Sequence, residues 1–176
     1  MANGINVPIG PAVVEYGDGA EKVTFDITKG GIQFQSSTSK QDITVDQYGD
    51  TVVKSIMKGR TAQVTVPFAL HDLARLSEVI PNSDYVNDGV KSKIVVKSQA
   101  GFDMLSNAKM LIIKPTDPNA TANDWITLPL AGAMADPEYT YDSDNERVVN
   151  ITFVAYPDLA NDGTLYIIGD ETAIDA

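Results

Sequence analysis

Between Asp42 and Pro81 the chain changes its hydrophobic period twice, and the rest of the sequence is placed against that stretch. Ile43, Val45 and Gln47 alternate with Thr44, Asp46 and Tyr48, a period of two that fits a half-buried strand. Tyr48-Gly49-Asp50-Thr51 predicts a turn, because Gly49 tolerates positive φ and Asp50 can bond nearby backbone. Thr51 to Met57 is β-branched and apolar and predicts a second strand. Lys58-Gly59-Arg60 predicts a further hairpin turn, and a third strand follows with Ala62, Val64, Val66 and Phe68 on one side and Thr61, Gln63 and Thr65 on the other. After Phe68 the spacing becomes helical: Leu70, Leu73, Leu76 and Ile80 recur until Pro81 stops the run. This predicts a helix of about three turns, roughly 16 Å long, covering one face of the sheet.

The same reading extends along the chain. Residues 1–12 carry Gly4, Pro8, Gly10 and Pro11 and predict an extended arm. Val13 to Tyr16 and Lys22 to Thr28 read as strands joined by Gly17-Asp18-Gly19, and Lys29-Gly30-Gly31 reads as a hairpin into a strand beginning at Ile32 to Gln35. Ser36 to Gln41 is wholly polar, a loop or a strand extension exposed on both sides. Asn82 to Gly89 reads as a turn-rich loop. Lys91 to Ser98 and Lys109 to Lys114 are short apolar strands flanked by lysines, which discourage non-native pairing. Pro115 to Asp124 is a surface loop. Trp125 to Ala131 is a strand with Pro129 at an edge or bulge, Gly132 to Pro137 turns the chain into Glu138 to Tyr141, and Val148 to Tyr156 and Thr164 to Ile168 are the last strands. About nine or ten short strands and one helix predict a mainly β fold, an antiparallel β-sandwich or barrel with one flanking α-helix, in a single domain over residues 1–176.

The order of these elements is similar to that of the tail tube (major tail) proteins of long-tailed bacteriophages. The residues that carry the likeness are the Gln47-Tyr48-Gly49 turn, the strand ending in Lys58-Gly59, the alternating strand after it, and the helix ending in Ile80-Pro81. The opening run Gly10-Pro11-Ala12-Val13-Val14-Glu15-Tyr16-Gly17, followed by Val23 to Ile32, resembles that family's first hairpin. The resemblance implies subunits that form hexameric rings, inner strands that join into one continuous barrel, and rings that stack into a tube through which viral DNA passes. It further implies a place in the virion tail after assembly in the host cytoplasm. The partners it implies are copies of the chain and other tail proteins: tape measure, tail terminator and distal tail.

Charge sharpens this picture. The net charge is −11, and it is not spread evenly: up to Lys114 there are 12 acids and 12 bases, whereas from Pro115 to Ala176 there are 12 acids and only Arg147 to oppose them. With a pI near 4.3, the chain is a poor binder of phosphates but suited to let them pass, since a protein that gripped DNA would stall it. The absence of cysteine excludes disulfides and thiolate chemistry. The first residues lack the basic and apolar regions of a secretory leader, and no run approaches the ~20 apolar residues of a spanning helix. The chain is therefore expected to be soluble when made.

No residue pattern predicts catalysis, a cofactor or a metal. His71 is the single histidine, and its neighbour Asp72 points elsewhere on a helix. Asp142, Asp144 and Glu146 alternate as in a calcium loop, but Arg147 stands where that loop requires glycine, so an acidic hairpin turn is expected. No glycine-rich phosphate loop occurs. On the tube reading, the lumen is lined by the polar faces of the inner strands, with Asp42, Thr44, Asp46, Gln63, Thr65, Asn150 and Thr152 as the candidates, since each alternates with core-like residues. Ring stacking is assigned to the hairpin carrying Tyr48, Asp50, Lys54, Lys58 and Arg60, whose basic tip meets the acidic last third of a neighbour. Two other functions stay open: a carbohydrate-type β-sandwich binding module, which calls for exposed loop aromatics that PTDPNATAND and SSTSKQ lack, and a secretion-system-type tube ring subunit, which shares the same architecture.

Overall fold

A computed structural model describes residues 9–174; residues 1–8, most of the expected arm, lie outside the described residues. The chain is mainly β and antiparallel, with one short α-helix. One large sheet is built from β1 (Ala12–Tyr16), β2 (Val23–Phe25), β3 (Gln33–Thr44), β4 (Val52–Phe68), and four later strands. The later four are numbered after a separate hairpin of β5 (Ser83–Asn87) and β6 (Ser92–Val96); they are β7 (Lys109–Pro115), β8 (Ile126–Ala135), β9 (Val149–Ala155) and β10 (Ile167–Ile168). The order across the large sheet is β2-β1-β7-β8-β9-β4-β3, with β10 pairing to the start of β8.

The sheet curls until its two sides meet. Just beyond β2, Thr28 bridges to Phe68 at the end of β4, with the Lys29 amide donating to the Pro67 carbonyl at 3.0 Å and the Ala69 amide to the Ile27 carbonyl at 3.0 Å. Inside the curl, the alternating apolar residues read from the sequence are buried: Ala62, Val64, Val66 and Phe68 of β4, and Val149, Ile151, Phe153 and Ala155 of β9. Aromatic rings fill its centre, with Tyr16 and Phe153 at 4.9 Å between centroids and Phe25 edge-on to Phe68 at 5.0 Å, a spacing at which ring quadrupoles attract. The Tyr16 hydroxyl lies 3.1 Å from the Ala131 carbonyl oxygen, to which it donates, and burial pushes its pKa up to about 12.

The helix α1 (Leu73–Ser77) is five residues long rather than three turns. Asp72 starts it late, because its carboxylate accepts from the Ala74 and Arg75 amides at 3.0 and 3.2 Å and so caps the N-terminus. Leu70 stays outside and exposed. The Val79 and Ile80 amides both turn back to the Leu76 carbonyl, ending the helix before Pro81. Leu76, Val79 and Ile80 are buried all the same, so the apolar stripe closes the open end of the curl through a helix-and-turn. Arg75 fixes it to the strand side, donating to the Thr24 carbonyl and to Asp26, both at 2.9 Å.

Three further expectations give way. Lys29-Gly30-Gly31 is not a hairpin, since β2 and β3 do not pair; it carries the chain along β4 from the Thr28–Phe68 bridge to the Gln33–Thr65 pair. Asn82 to Gly89 contains β5, which pairs with β6 around a turn held by the Asp88 carboxylate on the Val90 and Lys91 amides. Gly132 does not turn the chain: β8 runs through it to Ala135, and a Cβ there would lie 2.6 Å from the Tyr156 ring. The glycine makes room for that ring. Glu138 to Tyr141, beyond β8, has no regular structure. Pro129, in contrast, sits where β7 and β8 slip register between Lys109 and Leu111, at a bulge.

Candidate functional site

The hairpin of β3 and β4 is longer than the sheet that anchors it. Only Gln63 to Phe68 of β4 pairs with β9; from Val52 to Ala62 the sole neighbour of β4 is β3. These residues form a two-stranded ribbon on the order of 35 Å long at about 3.3 Å per residue. It is exposed on both faces from Ser37 to its end and back to Lys58 apart from Ile43. A short 3-10 turn at Asp46–Tyr48 and Gly49 at φ 59° reverse the chain.

This overturns the expected turn at Lys58-Gly59-Arg60. Gly59 takes no positive φ; it pairs with Ser39 and β4 passes through it. The polar run Ser36 to Gln41 is the strand that makes this possible. The ribbon's tip is consequently Val45 to Thr51, bearing Asp46, Tyr48 and Asp50, and it is not basic. Lys54, Lys58 and Arg60 lie back along β4. Arg60 donates from Nε to the Thr38 hydroxyl at 3.0 Å, and Lys58 is the extra residue of a β-bulge, since Ser39 pairs with Gly59 and Lys40 with Met57. A second bulge leaves Val53 unpaired between Ile43–Lys54 and Thr44–Val52.

The pairing register sorts the lumen candidates. Gln63 lies opposite Gln35 and Val154, Thr65 opposite Gln33 and Thr152, and Pro67 opposite Asn150. Cross-strand partners share a face, so Gln63, Thr65, Asn150 and Thr152 form one contiguous outer patch, and the Gln63 amide donates to the Gln35 side-chain oxygen at 3.3 Å. Asp42 and Thr44 fall on the other face of the ribbon, the one that continues into Phe34 and Val64. There Asp42 accepts from the Ser55 hydroxyl at 2.5 Å and pairs with Lys40 at 3.2 Å, which holds its carboxyl below the usual range. Asp46 is at the tip. The structure therefore groups four of the seven candidates and separates the three others.

What the sequence reading missed is the apolar character of the ribbon. Tyr48 is 68% exposed and Met57 60%, and Val45, Val52, Val53 and Ile56 are also exposed. The signal was present: a largely apolar run, Val52 to Met57, whose partner residues Lys40 to Thr44 are polar apart from Ile43 and so offer no buried face. The outer edge of β3 has no strand beyond it among the described residues.

Elsewhere the chemistry is internally satisfied. Asp142 accepts from the Asp144 and Asn145 amides, making the expected acidic turn, and among the described residues no three metal-ligating side chains gather. A cleft of about 370 Å³ beside α1 is lined by Tyr16, Phe102 and Met104, and its charged residues Lys109 and Glu78 pair with each other at 2.8 Å. His71 faces the Tyr139 ring at 6.4 Å between centroids. No protein-family model matches the chain, and no curated protein matches it.

Proposed function

We propose that this chain is a structural subunit of a virion tail tube, assembling through its ribbon into rings that stack as the conduit for viral DNA. The observation that carries the reading is the β3–β4 ribbon itself. It combines a strand edge of 12 residues that has no neighbour among the described residues with exposed large apolar side chains on a limb that has no body of its own to bury them. A monomer gains nothing from such a limb and risks aggregation by it. In a ring, the edge of one copy completes the sheet of the next. Roughly half of the edge residues present their N–H and C=O outward, so about six residues would gain backbone bonds at about 1 kcal/mol each. Head-to-tail repetition then closes a ring or continues as a stack.

The tip residues Tyr48 and Asp50, with Lys54 and Lys58 behind them, are the stacking contact in this proposal, and the acidic residues beyond Pro115 complement the two lysines. Arg60, already engaged with Thr38, stiffens the ribbon. The partners are other copies, and at the tube's ends the tape measure, tail terminator and distal tail proteins. The net charge of −11 keeps the tube from binding the genome it carries.

Electron microscopy of the purified protein at rising concentration tests the reading, with annuli or hollow tubes expected. Ile56→Lys with Met57→Lys should abolish them while leaving the far-ultraviolet circular dichroism of the body intact, because neither side chain touches the core. Wild-type protein that remains monomeric at every concentration, or a double variant that forms normal tubes, would overturn the proposal.

A further inference from the structure

The patch that gathers Gln63, Thr65, Asn150 and Thr152 has a property that the charge of the whole chain conceals. Every second residue of β3 from Gln33 to Gln41 and of β4 from Thr61 to Thr65 shares this face with Asn150 and Thr152 of β9, as the register requires. These ten are Gln, Ser, Thr or Asn, and the neighbours that the same register adds are apolar and uncharged: Val154 opposite Gln63, Met134 opposite Thr152, Pro67 opposite Asn150 and Ile56 opposite Gln41. On an ordinary surface roughly 30% of such positions are charged, which would give about three. The opposite face of the same ribbon carries Lys40 and Asp42, paired with each other, and Arg60, bonded to Thr38. Between Gln33 and Gln41, charge is thus sorted to one side of a two-stranded ribbon that water reaches from both.

The charged groups near the neutral face stand at its ends. Asp136 and Glu138 border it beside Asn150 and Thr152. Lys29, ion-paired with Glu146, lies by Gln33 and Thr65. Lys54, opposite Ile43, is the charge toward the tip.

We propose that the belt of the tube wall facing the passing polyanion is uncharged, an amide-and-hydroxyl surface centred on Gln35, Gln63 and Thr152, rather than an acidic, repelling one. This rests on the tube reading and deepens it. A cationic wall holds phosphates by releasing their counterions. An acidic wall in a narrow bore concentrates cations and sets up a field that varies with salt. Neutral amides and hydroxyls do neither, and they keep a hydrogen-bonded water layer against which the duplex slides. Duplex DNA is then confined by shape, and the acids elsewhere on the subunit serve contacts between subunits.

The chain has no cysteine, so Gln63→Cys gives a single reporter thiol. The variant is assembled into tubes, and three readings are taken. Tubes seen by electron microscopy maintain the tube reading, and their absence from wild-type protein ends it along with this inference. A maleimide tethered to a polymer too bulky to enter the tube should label the monomer but not the assembled thiol; equal labelling places the face outside and overturns the inference while the tube stands. Small cationic and anionic methanethiosulfonates then report the local potential. Their rate ratio in tubes should stay within about threefold of the ratio in monomers, and a larger change in either direction means a charged bore and overturns it. Thiol acidity cancels in that ratio. Gln35→Asp in the same background should raise the cation preference, confirming that the probe responds, and Thr65→Cys serves if Gln63→Cys does not assemble.

Discussion

Replacing Tyr16 by phenylalanine separates packing from polarity at the centre of the curl. The ring stays against Phe153, so the main loss at neutral pH is the bond from the hydroxyl to the Ala131 carbonyl, about 1 kcal/mol. The wild-type residue, however, carries a penalty that phenylalanine lacks. Burial raises its pKa to about 12, above the ~10 of an unfolded tyrosine. Above pH 10 the unfolded chain therefore releases this proton first, and stability falls as pH rises. The contribution is complete below pH 10 and is lost progressively toward pH 12, by about 1.4 kcal/mol at pH 11 and at most about 2.7 kcal/mol. The other tyrosines titrate in both proteins and cancel in the comparison. Wild type should be the more stable at pH 7 and the variant at pH 11.5, with the curves crossing between about pH 10 and 11. Urea unfolding followed by Trp125 fluorescence, at concentrations too low for assembly, measures both. Curves that remain parallel from pH 7 to 11.5 would show that the hydroxyl is not buried as described.

Three other perturbations follow from the same structure. Phe153→Ala removes the ring that contacts both Tyr16 and Phe25 and should cost about 3–5 kcal/mol in denaturant unfolding. Asp72→Ala should cost about 1 kcal/mol through loss of the helix cap, with Asp72→Asn retaining most of it; equal losses in the two would assign the effect to the Arg75 ion pair instead. For Glu15, burial works to raise the pKa, but the hydrogen bonds and charges of Lys114 and Lys22 outweigh it and the net shift is downward. Its stabilisation is present above the ordinary glutamate range and is lost as pH falls through the lowered folded value, so Glu15→Gln should flatten the acid limb of a stability profile.

How far the fold could be read in advance depended on whether a strand had a buried side. Val149 to Ala155 buries alternate residues, and Ala62 to Phe68 does so with Pro67 buried in addition, so the alternating core positions of both were legible in the sequence. Gln33 to Thr44 buries none of its side chains, so nothing in Ser36 to Gln41 told strand from loop. Without that partner, Lys58-Gly59-Arg60 read as a turn on glycine chemistry alone. Gly132 was misread for a related reason: its small size answers to Tyr156, 24 positions away, and sequence spacing does not reveal such a contact. In the candidate patch, Gln63, Thr65, Asn150 and Thr152 were found because each adjoins buried residues. Asp42 and Thr44 were grouped with them because strand β3 was taken to begin afresh at Ile43, losing the phase carried from Gln35 that puts the two on the opposite face.

The sheet order also sets the sequence of events during synthesis. The ribbon is local, closed by its own turn, whereas its anchor is remote: β4 is held to the body by β9, and the Tyr16 hydroxyl finds its acceptor 115 residues later. At about 5–20 residues per second a ribosome needs roughly 4–16 s to travel from Phe68 to Val149. Throughout that interval the hairpin lacks the β9 partner of its base. A ribbon wet on both faces has little to fix its register, so the two bulges at Lys58 and Val53 act as detents that keep nascent chains from zipping together one residue out of step.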